Sequence, residues 1–300
     1  GIAWDQVLFL SAHGRPLAEI AGWARRAPRL GILTDPSHTP SVIAETLLRT
    51  GGGDCRAVVA ENLGLPGERI VETRLAELAT RPGQVFASLN VLLVIRPEGW
   101  RPQPVLAPRP DDAYAHRRGL ITKADIRALS LARLALAETD VAWDVGAGSG
   151  ALSIEMAEFA WRGRIYAVEH DPENLSYIHQ NRERFGAENV EVVAGPAPAA
   201  LADLPAPQAV FVGGTGGAMA GILDHIAGAA RPGCRVVLNL VTLENLGEAL
   251  RLMADLGWAP EVTQASLAQS QAIGAGMRLA PLNPVFLVRG IVPEEHAGGN

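Results

Sequence analysis

Short apolar runs alternate with stretches whose apolar residues recur every three or four positions. Before residue 96 the runs QVLFL, RLGILT, CRAVVAE and NVLLVI read as strands, and HGRPLAEIAGWARR and PSVIAETLLRTG as helices. RIVETRLAELA reads as a short strand followed by a helix, and the glycines at 51 to 53 stop the helix that precedes them. Leucine-rich or β-branched runs between amphipathic helices predict an α/β domain. From Val141 the alternation is cleaner. VAWDVG, RIYAVE, VEVVA, QAVFVG, RVVLNLV and PVFLVRG are predicted strands; GALSIEMAEFA, PENLSYIHQNRERF, GAMAGILDHIAGAA and LENLGEALRLMADLG are predicted helices. Nearly continuous apolar strands separated by helices predict a parallel sheet covered on both faces. The stretch from Glu261 to Gly290 holds two strand-like runs with no helix between them, which predicts an antiparallel hairpin at a sheet edge.

Between the two alternations lies RPEGWRPQPVLAPRPDD, with five prolines. Proline fixes φ and removes a donor, so this stretch is neither helix nor central strand. The expected organisation is a first domain over 1–96, a proline-rich linker over 97–112, a second domain over 113–292 and a tail over 293–300.

Composition narrows the function classes. The 300 residues are 48% hydrophobic and 19% charged, ample for packed cores. A net charge of -6 speaks against a nucleic-acid partner held by phosphate electrostatics. Cys55 and Cys234 are far apart and show no metal-ligand spacing, so they are expected to be buried thiols in a reducing cytosol, with no metal site. No apolar run reaches the roughly 18 residues of a membrane helix, and the richest, Met219 to Ala230, is broken by Asp224 and His225. No signal peptide is visible. The expectation is a cytoplasmic chain with neither membrane nor nucleic-acid partner. It starts at Gly1 rather than Met, so a segment is expected upstream.

The candidate chemistry begins at WDVGAGSG. Gly146, Gly148 and Gly150 end the first strand of the second alternation, where a doubly wound sheet binds its ligands. Glu169 ends the next strand and can accept both hydroxyls of a ribose. Together they describe a site for an adenosine-bearing cofactor. A dinucleotide fingerprint would be G-x-G-x-x-G, with the pyrophosphate on the helix N-terminus. Here Asp144 stands two residues before the turn and would repel a pyrophosphate, but suits the cationic amino acid part of S-adenosylmethionine. The methyl donor is therefore favoured over a dinucleotide, and over a turn that is merely tight. Gly146, Ala147, Gly148, Ser149 and Gly150 would hold its methionine part, and Gly195 to Ala197, in VVAGPAPAAL, the adenine side.

The segment GLITKADIRALSLARLALAETDVAWDVGAGSGALSIEMA resembles the decarboxylating methyltransferases of corrin biosynthesis. ITK-x-x-I-R, WDVGAGSG, FVGGTGG, LNLVTLENL and LNPVFLV follow the pattern of that family in order, over roughly residues 112 to 290. The first domain, through SAHGRP, ILTDPSHTPSVIAETLL, VVAENLGLPGERI and LNVLLVI, resembles the carboxyl half of a tetrapyrrole methylase. The fusion is similar to the precorrin-6Y C5,15-methyltransferase (decarboxylating) family. The resemblance implies a class I, Rossmann-like S-adenosylmethionine-dependent methyltransferase domain preceded by a partial tetrapyrrole methylase domain. It implies a precorrin substrate, methylation at C15 with loss of the C12 acetate carboxyl to give precorrin-8, and C5 methylation in the full-length enzyme. It also implies a homo-oligomer.

From the same resemblance, Thr122 would close over the donor, and His13, Gly14 and Arg15 would face the tetrapyrrole. A substrate rich in carboxylates calls for cations, and YAHRRGLITKA supplies Arg117, Arg118 and Lys123 with no acid of its own. His116 is expected to be an ordinary surface histidine. Thr34 and Asp35 are expected to cap a helix. The loop from Gly213 through Gly214 and Thr215 to Gly217 would let a flat macrocycle approach, and Asn239 would bond a ring side chain or serve as a buried structural amide. No residue is singled out as the catalytic acid. The rival readings are a methyltransferase acting on RNA or protein, and a tetrapyrrole-binding module without turnover.

Overall fold

The computed structural model describes residues 7–81, 84–101, 108–117, 119–274 and 276–294. Contacts divide the chain into two units, Gly1–Leu106 with Glu183–Glu188, and Ala107–Arg182 with Asn189–Asn300. Arg118 lies outside the described residues.

The first unit runs β1 (Leu8–Ser11), α1 (Leu17–Ala24), β2 (Arg29–Leu33), α2 (Pro40–Arg49), β3 (Arg56–Glu61), β4 (Arg69–Arg74), α3 (Leu75–Ala79) and β5 (Asn90–Ile95). Its sheet has the order β1-β2-β5-β3-β4. β1 and β2 are parallel, with Leu10 beside Ile32, while β2–β5, β5–β3 and β3–β4 are antiparallel. Ile20, Ile43, Leu47, Leu75 and Leu78 of the three helices share one core with Leu30, Ile32, Leu92 and Val94. Strand residues of opposite parity, such as Phe9 and Leu33, are exposed. Thr34 and Asp35 do not cap α2. Thr39 does, accepting from the Val42 N–H at 3.4 Å. Asp35 instead closes the preceding loop, accepting from the N–H groups of Ser37 (2.8 Å) and His38 (2.6 Å), and the Thr34 hydroxyl donates to Asn90 at 2.8 Å. A small polar residue fixes whichever N–H its local chain path presents, and here Pro36 intervenes before the helix begins.

The second unit runs α4 (Ala124–Leu134), β6 (Val141–Val145), α5 (Ala151–Phe159), β7 (Arg164–Glu169), α6 (Pro172–Phe185), β8 (Val190–Ala194), β9 (Ala209–Val212), α7 (Met219–Ala229), β10 (Arg235–Leu240), α8 (Leu243–Asp255), β11 (Glu261–Ala265), β12 (Ala268–Ile273), β13 (Gly276–Pro281) and β14 (Val285–Ile291). The seven-stranded sheet has the order β11-β14-β10-β9-β6-β7-β8. β10, β9, β6, β7 and β8 are parallel, and β14 is antiparallel to both β10 and β11. Residues of both parities are buried, Val145, Val210 and Leu238 on one face and Ala142, Ala167 and Val237 on the other, so both faces are covered.

Two features depart from the pattern reading. Residues 124–134 form a helix, α4, that the pattern does not assign, because its buried face carries Arg127 and Ser130 beside Ile126 and Leu131 and so lacks an apolar stripe. The terminal antiparallel pair is β11 with β14, and β12 with β13 forms a separate two-stranded hairpin between them in sequence.

Candidate active site

The chain leaves β6 toward β7 and β8 on one side and returns with β9 on the other, so β6 and β9 part at a topological switch point, where the crevice of a doubly wound sheet lies. The glycine turn sits there, and each glycine has its own cause. Gly146 has φ +71°, and an added Cβ would stand 2.7 Å from the carbonyl oxygen of Gly214, because the turn after β9 packs directly on it. An added Cβ on Gly150 would stand 3.1 Å from Ile178 of α6, so this glycine lets α5 start close against its neighbour. At Gly148, φ +57°, a Cβ would meet nothing within 4 Å. This is the stretch of bare main chain that faces open space.

Two acids frame the turn. Glu169, 5% exposed, accepts from the N–H groups of Gly148 (2.8 Å), His170 (2.8 Å) and Asp171 (2.9 Å). Its carboxylate therefore fixes the glycine turn and the β7–α6 loop in one register. Asp144, 1% exposed, takes a hydrogen bond on Oδ2 from the Ser153 hydroxyl, while its buried Oδ1 has no partner. Burial pushes the Asp144 carboxyl from its ordinary 3.8 up to about 7; the Ser153 hydroxyl opposes the shift and the Glu169 charge adds to it. A buried carboxylate with a vacant lone pair is costly on its own and is offset by a cation. Gly195, after β8, joins the same edge through its N–H, which donates to the Glu169 carbonyl at 2.9 Å, and Ala197 follows it.

The profile of a family described as the precorrin methyltransferase domain matches residues 112–290. The chain belongs to the precorrin methyltransferase family. The precorrin-6Y C(5,15)-methyltransferase [decarboxylating] of a Sinorhizobium species is 36% identical over 287 residues, which cover 95% of this chain and 68% of that protein. The probable cobalt-precorrin-6B C(15)-methyltransferase (decarboxylating) of Pyrobaculum calidifontis is 37% identical over 182 residues, 60% of this chain and 93% of that one. Among solved structures, the precorrin-6y C5,15-methyltransferase of Geobacter metallireducens GS-15 superposes with a TM-score of 0.61 at 36% identity, covering 63% of this chain and all of that one. The fold is that of the class I, Rossmann-like methyltransferases.

In this precorrin methyltransferase the remaining candidates fall into separate groups. Thr122 and Lys123 stand just before α4, on a strap that begins near Arg109. Lys123 pairs with Asp111 at 3.3 Å and Arg117 with Glu173 at 3.1 Å, so one acid just upstream and one from α6 face the basic stretch. Both cations stay partly exposed, and such pairs exchange readily for a ligand carboxylate. The His116 ring is half-buried, with Nδ1 2.9 Å from the Tyr114 carbonyl. Asn239 is committed within the protein: its amide donates to the Ser130 hydroxyl at 2.9 Å. Gly213 and Gly214 pack beside Gly146, with the Gly213 N–H donating to the Val145 carbonyl at 2.9 Å. His13 and Arg15 belong to the first unit, exposed at the β1–α1 turn, where Arg15 pairs with Glu19 at 3.5 Å.

The pattern misses four residues. Ser153 lies nine positions after the acid it serves. Arg127, Glu155 and Asn181, all within 1% of full burial, sit on helices where polar residues normally mark a solvated face. Only Arg127 leaves a trace, as the arginine of ITK-x-x-I-R.

Proposed function

We propose that the chain binds S-adenosylmethionine at the Gly146–Gly150 turn, methylates C15 of precorrin-6B and removes the C12 acetate carboxyl as carbon dioxide to give precorrin-8, in corrin biosynthesis. The observation that carries this reading is the open face of Gly148 at the switch point, flanked by the unpartnered Oδ1 of Asp144 and the fixed carboxylate of Glu169. The donor set fits the group: an orphaned acid for a cation, an acceptor for a ribose, and main chain with no Cβ in the way. When bound, S-adenosylmethionine supplies an electrophilic methyl on a positively charged sulfur.

The chain's own contribution is alignment and dryness. Asp144 holds the amino acid cation from beneath the turn, and Glu169 takes a ribose hydroxyl on Oε2, which accepts only the Gly148 N–H. Ala147 and Ser149 complete the main-chain cradle, with Gly195 and Ala197 along the adenine. Thr122 stands at the rim. Arg117, Lys123 and, in the sequence, Arg118 receive substrate carboxylates, and the Gly213–Gly214 turn admits the flat ring. The electron pair released with carbon dioxide passes into the conjugated macrocycle once an adjacent ring nitrogen is protonated, and a proton then converts the remaining methylene to methyl, so the chain's task in that step is to hold the ring in place.

The Sinorhizobium relative aligns over 95% of the chain, the Pyrobaculum relative over 60%. That supports reading the first unit as part of a C5-methylating domain, with His13 and Arg15 as its tetrapyrrole contacts. We place the enzyme in the cytoplasm; among the described residues no helix is long and apolar enough to cross a membrane. The β12–β13 hairpin, with Ile273, Met277 and Leu279 exposed, supports self-association. Light scattering of an Ile273→Ser/Leu279→Ser variant is expected to show a smaller assembly than the parent.

The deciding experiment is mass spectrometry of precorrin-6B incubated with the chain and S-adenosylmethionine. One methyl gained and one carbon dioxide lost is the expected result; two methyls gained adds C5 chemistry. An unchanged mass with folded protein overturns the proposal.

A further inference from the structure

We infer that Arg127 is a positioning residue for methyl transfer: its buried guanidinium, together with the Asn181 amide, locks the strap of residues 109–117 and 119–123 to the donor turn and so sets where Thr122 and Lys123 stand. The inference rests on the donor reading above and deepens it.

Arg127 is 0% exposed. Its Nε donates to Glu155 Oε1 at 3.0 Å, Nη1 to Asp111 Oδ1 at 2.9 Å and also to the Thr122 carbonyl, and Nη2 to the Arg109 carbonyl. One planar group thus ties together both ends of the strap, its own helix and α5, the helix that starts directly after the glycine turn. Glu155 Oε1 collects the strap from the other side, accepting from the Tyr114 hydroxyl at 2.9 Å and the Arg109 N–H at 3.1 Å. The Tyr114 ring lies 5.1 Å from the guanidinium. Asp111 adds the cap that α4 lacks from its own residues, accepting from the Ala124 N–H at 2.9 Å.

Asn181 makes the second lock. Its Oδ1 accepts from the Ala115 N–H at 2.8 Å, and its Nδ2 donates to the Ala115 carbonyl at 2.8 Å and the Ser149 carbonyl at 2.9 Å. A single amide therefore joins the strap to a residue of the donor turn itself. A helix that only needed covering would use apolar residues here. Three desolvated polar side chains are costly unless their geometry is needed. Lysine cannot replace Arg127, because a point ammonium on a flexible stem does not reach four acceptors arranged around a plane.

The test uses the full chain with Arg127→Lys and Asn181→Ala. S-Adenosylhomocysteine affinity is measured by calorimetry well below each variant's melting temperature, and strap amide exchange by mass spectrometry. Both variants are expected to fold, to bind S-adenosylhomocysteine at least tenfold more weakly, and to exchange faster over 109–117 and 119–123 than the parent. With precorrin-6B, the KM for S-adenosylmethionine rises more than kcat falls. Should Arg127→Lys fail to fold, Asn181→Ala decides alone. Lower melting temperatures with unchanged affinity and exchange would make both residues purely structural and overturn the inference. A parent chain that does not bind S-adenosylhomocysteine overturns the donor reading and the inference together.

Discussion

Each unit contains a strand that runs through a glycine turn into a helix, and the two turns are built differently. In the first unit His13, Gly14 and Arg15 are exposed, a Cβ on Gly14 (φ +65°) would meet nothing, and α1 begins with no side-chain cap. In the second, Gly146 touches a neighbouring turn, Gly150 touches α6, the buried Glu169 braces the Gly148 N–H, and the buried Asp144 is tied to the Ser153 hydroxyl of α5. A glycine after a strand says only that the backbone turns. What fits the second turn for the proposed donor is the set of partners around it, drawn from β7, β9, α5 and α6.

That contrast can be broken most forcefully at Gly146. Replacing it with alanine places a Cβ against the Gly214 main chain at positive φ; strain and overpacking together cost about 2–6 kcal/mol. Chemical denaturation should show a loss of that order and calorimetry no S-adenosylhomocysteine binding; a well-folded, binding-competent variant would refute the packing account.

The next effect is electrostatic. Because the Asp144 carboxyl titrates at about 7 in the folded chain and near 3.8 when unfolded, the folded state keeps a proton that the unfolded state has lost. Stability is therefore highest below pH 4 as far as this group is concerned. It falls as pH rises toward 7, by about 2–4 kcal/mol. Asp144→Asn, which never ionises, should melt higher than the parent at pH 8 and close to it at pH 4.5. In the parent, donor affinity should strengthen between pH 6 and 8 as the carboxylate forms against the bound cation, and the asparagine variant should flatten that profile.

Glu169→Ala removes the proposed ribose acceptor and the brace on Gly148, and should weaken donor binding by about 1–3 kcal/mol. Unaltered affinity would remove Glu169 from the site. The smallest effect is expected at the first unit's turn: Gly14→Ala should cost about 1 kcal/mol of stability for its positive φ, with S-adenosylhomocysteine affinity unchanged. A large loss of donor affinity there would abolish the contrast between the turns.

Much of this was legible in the chain. Strands such as NVLLVI and RIYAVE were found because apolar runs bounded by turn residues have few other uses; Gly146, Glu169 and Asp144 could be proposed as one site because turn, spacing and charge point at one cofactor class, and the fold brings them together. The mixed pairing of the first sheet was not legible, since strand direction depends on connections rather than on the strands' own composition. Nor was α4, whose buried arginine and serine erase its amphipathic stripe. Lys123 and Arg117 read as free cations because Asp111 and Glu173 reach them only through the fold. Arg127, Glu155 and Asn181 stayed hidden for the same reason: periodicity assigns a polar helix residue to solvent, and only tertiary structure shows Arg127 meeting Glu155 and Asn181 meeting the main chain of Ala115 and Ser149.

The position of β14 carries a consequence for biogenesis. It fills the gap between β10 and β11, yet it is synthesised after β11, β12 and β13. While the ribosome is still making those segments, β10 presents a bare edge and β11 has no neighbour to pair with. Assembly of the second sheet must wait for residues 285–291 to emerge, and a nascent chain stalled before them leaves an open, aggregation-prone strand exposed to the cell.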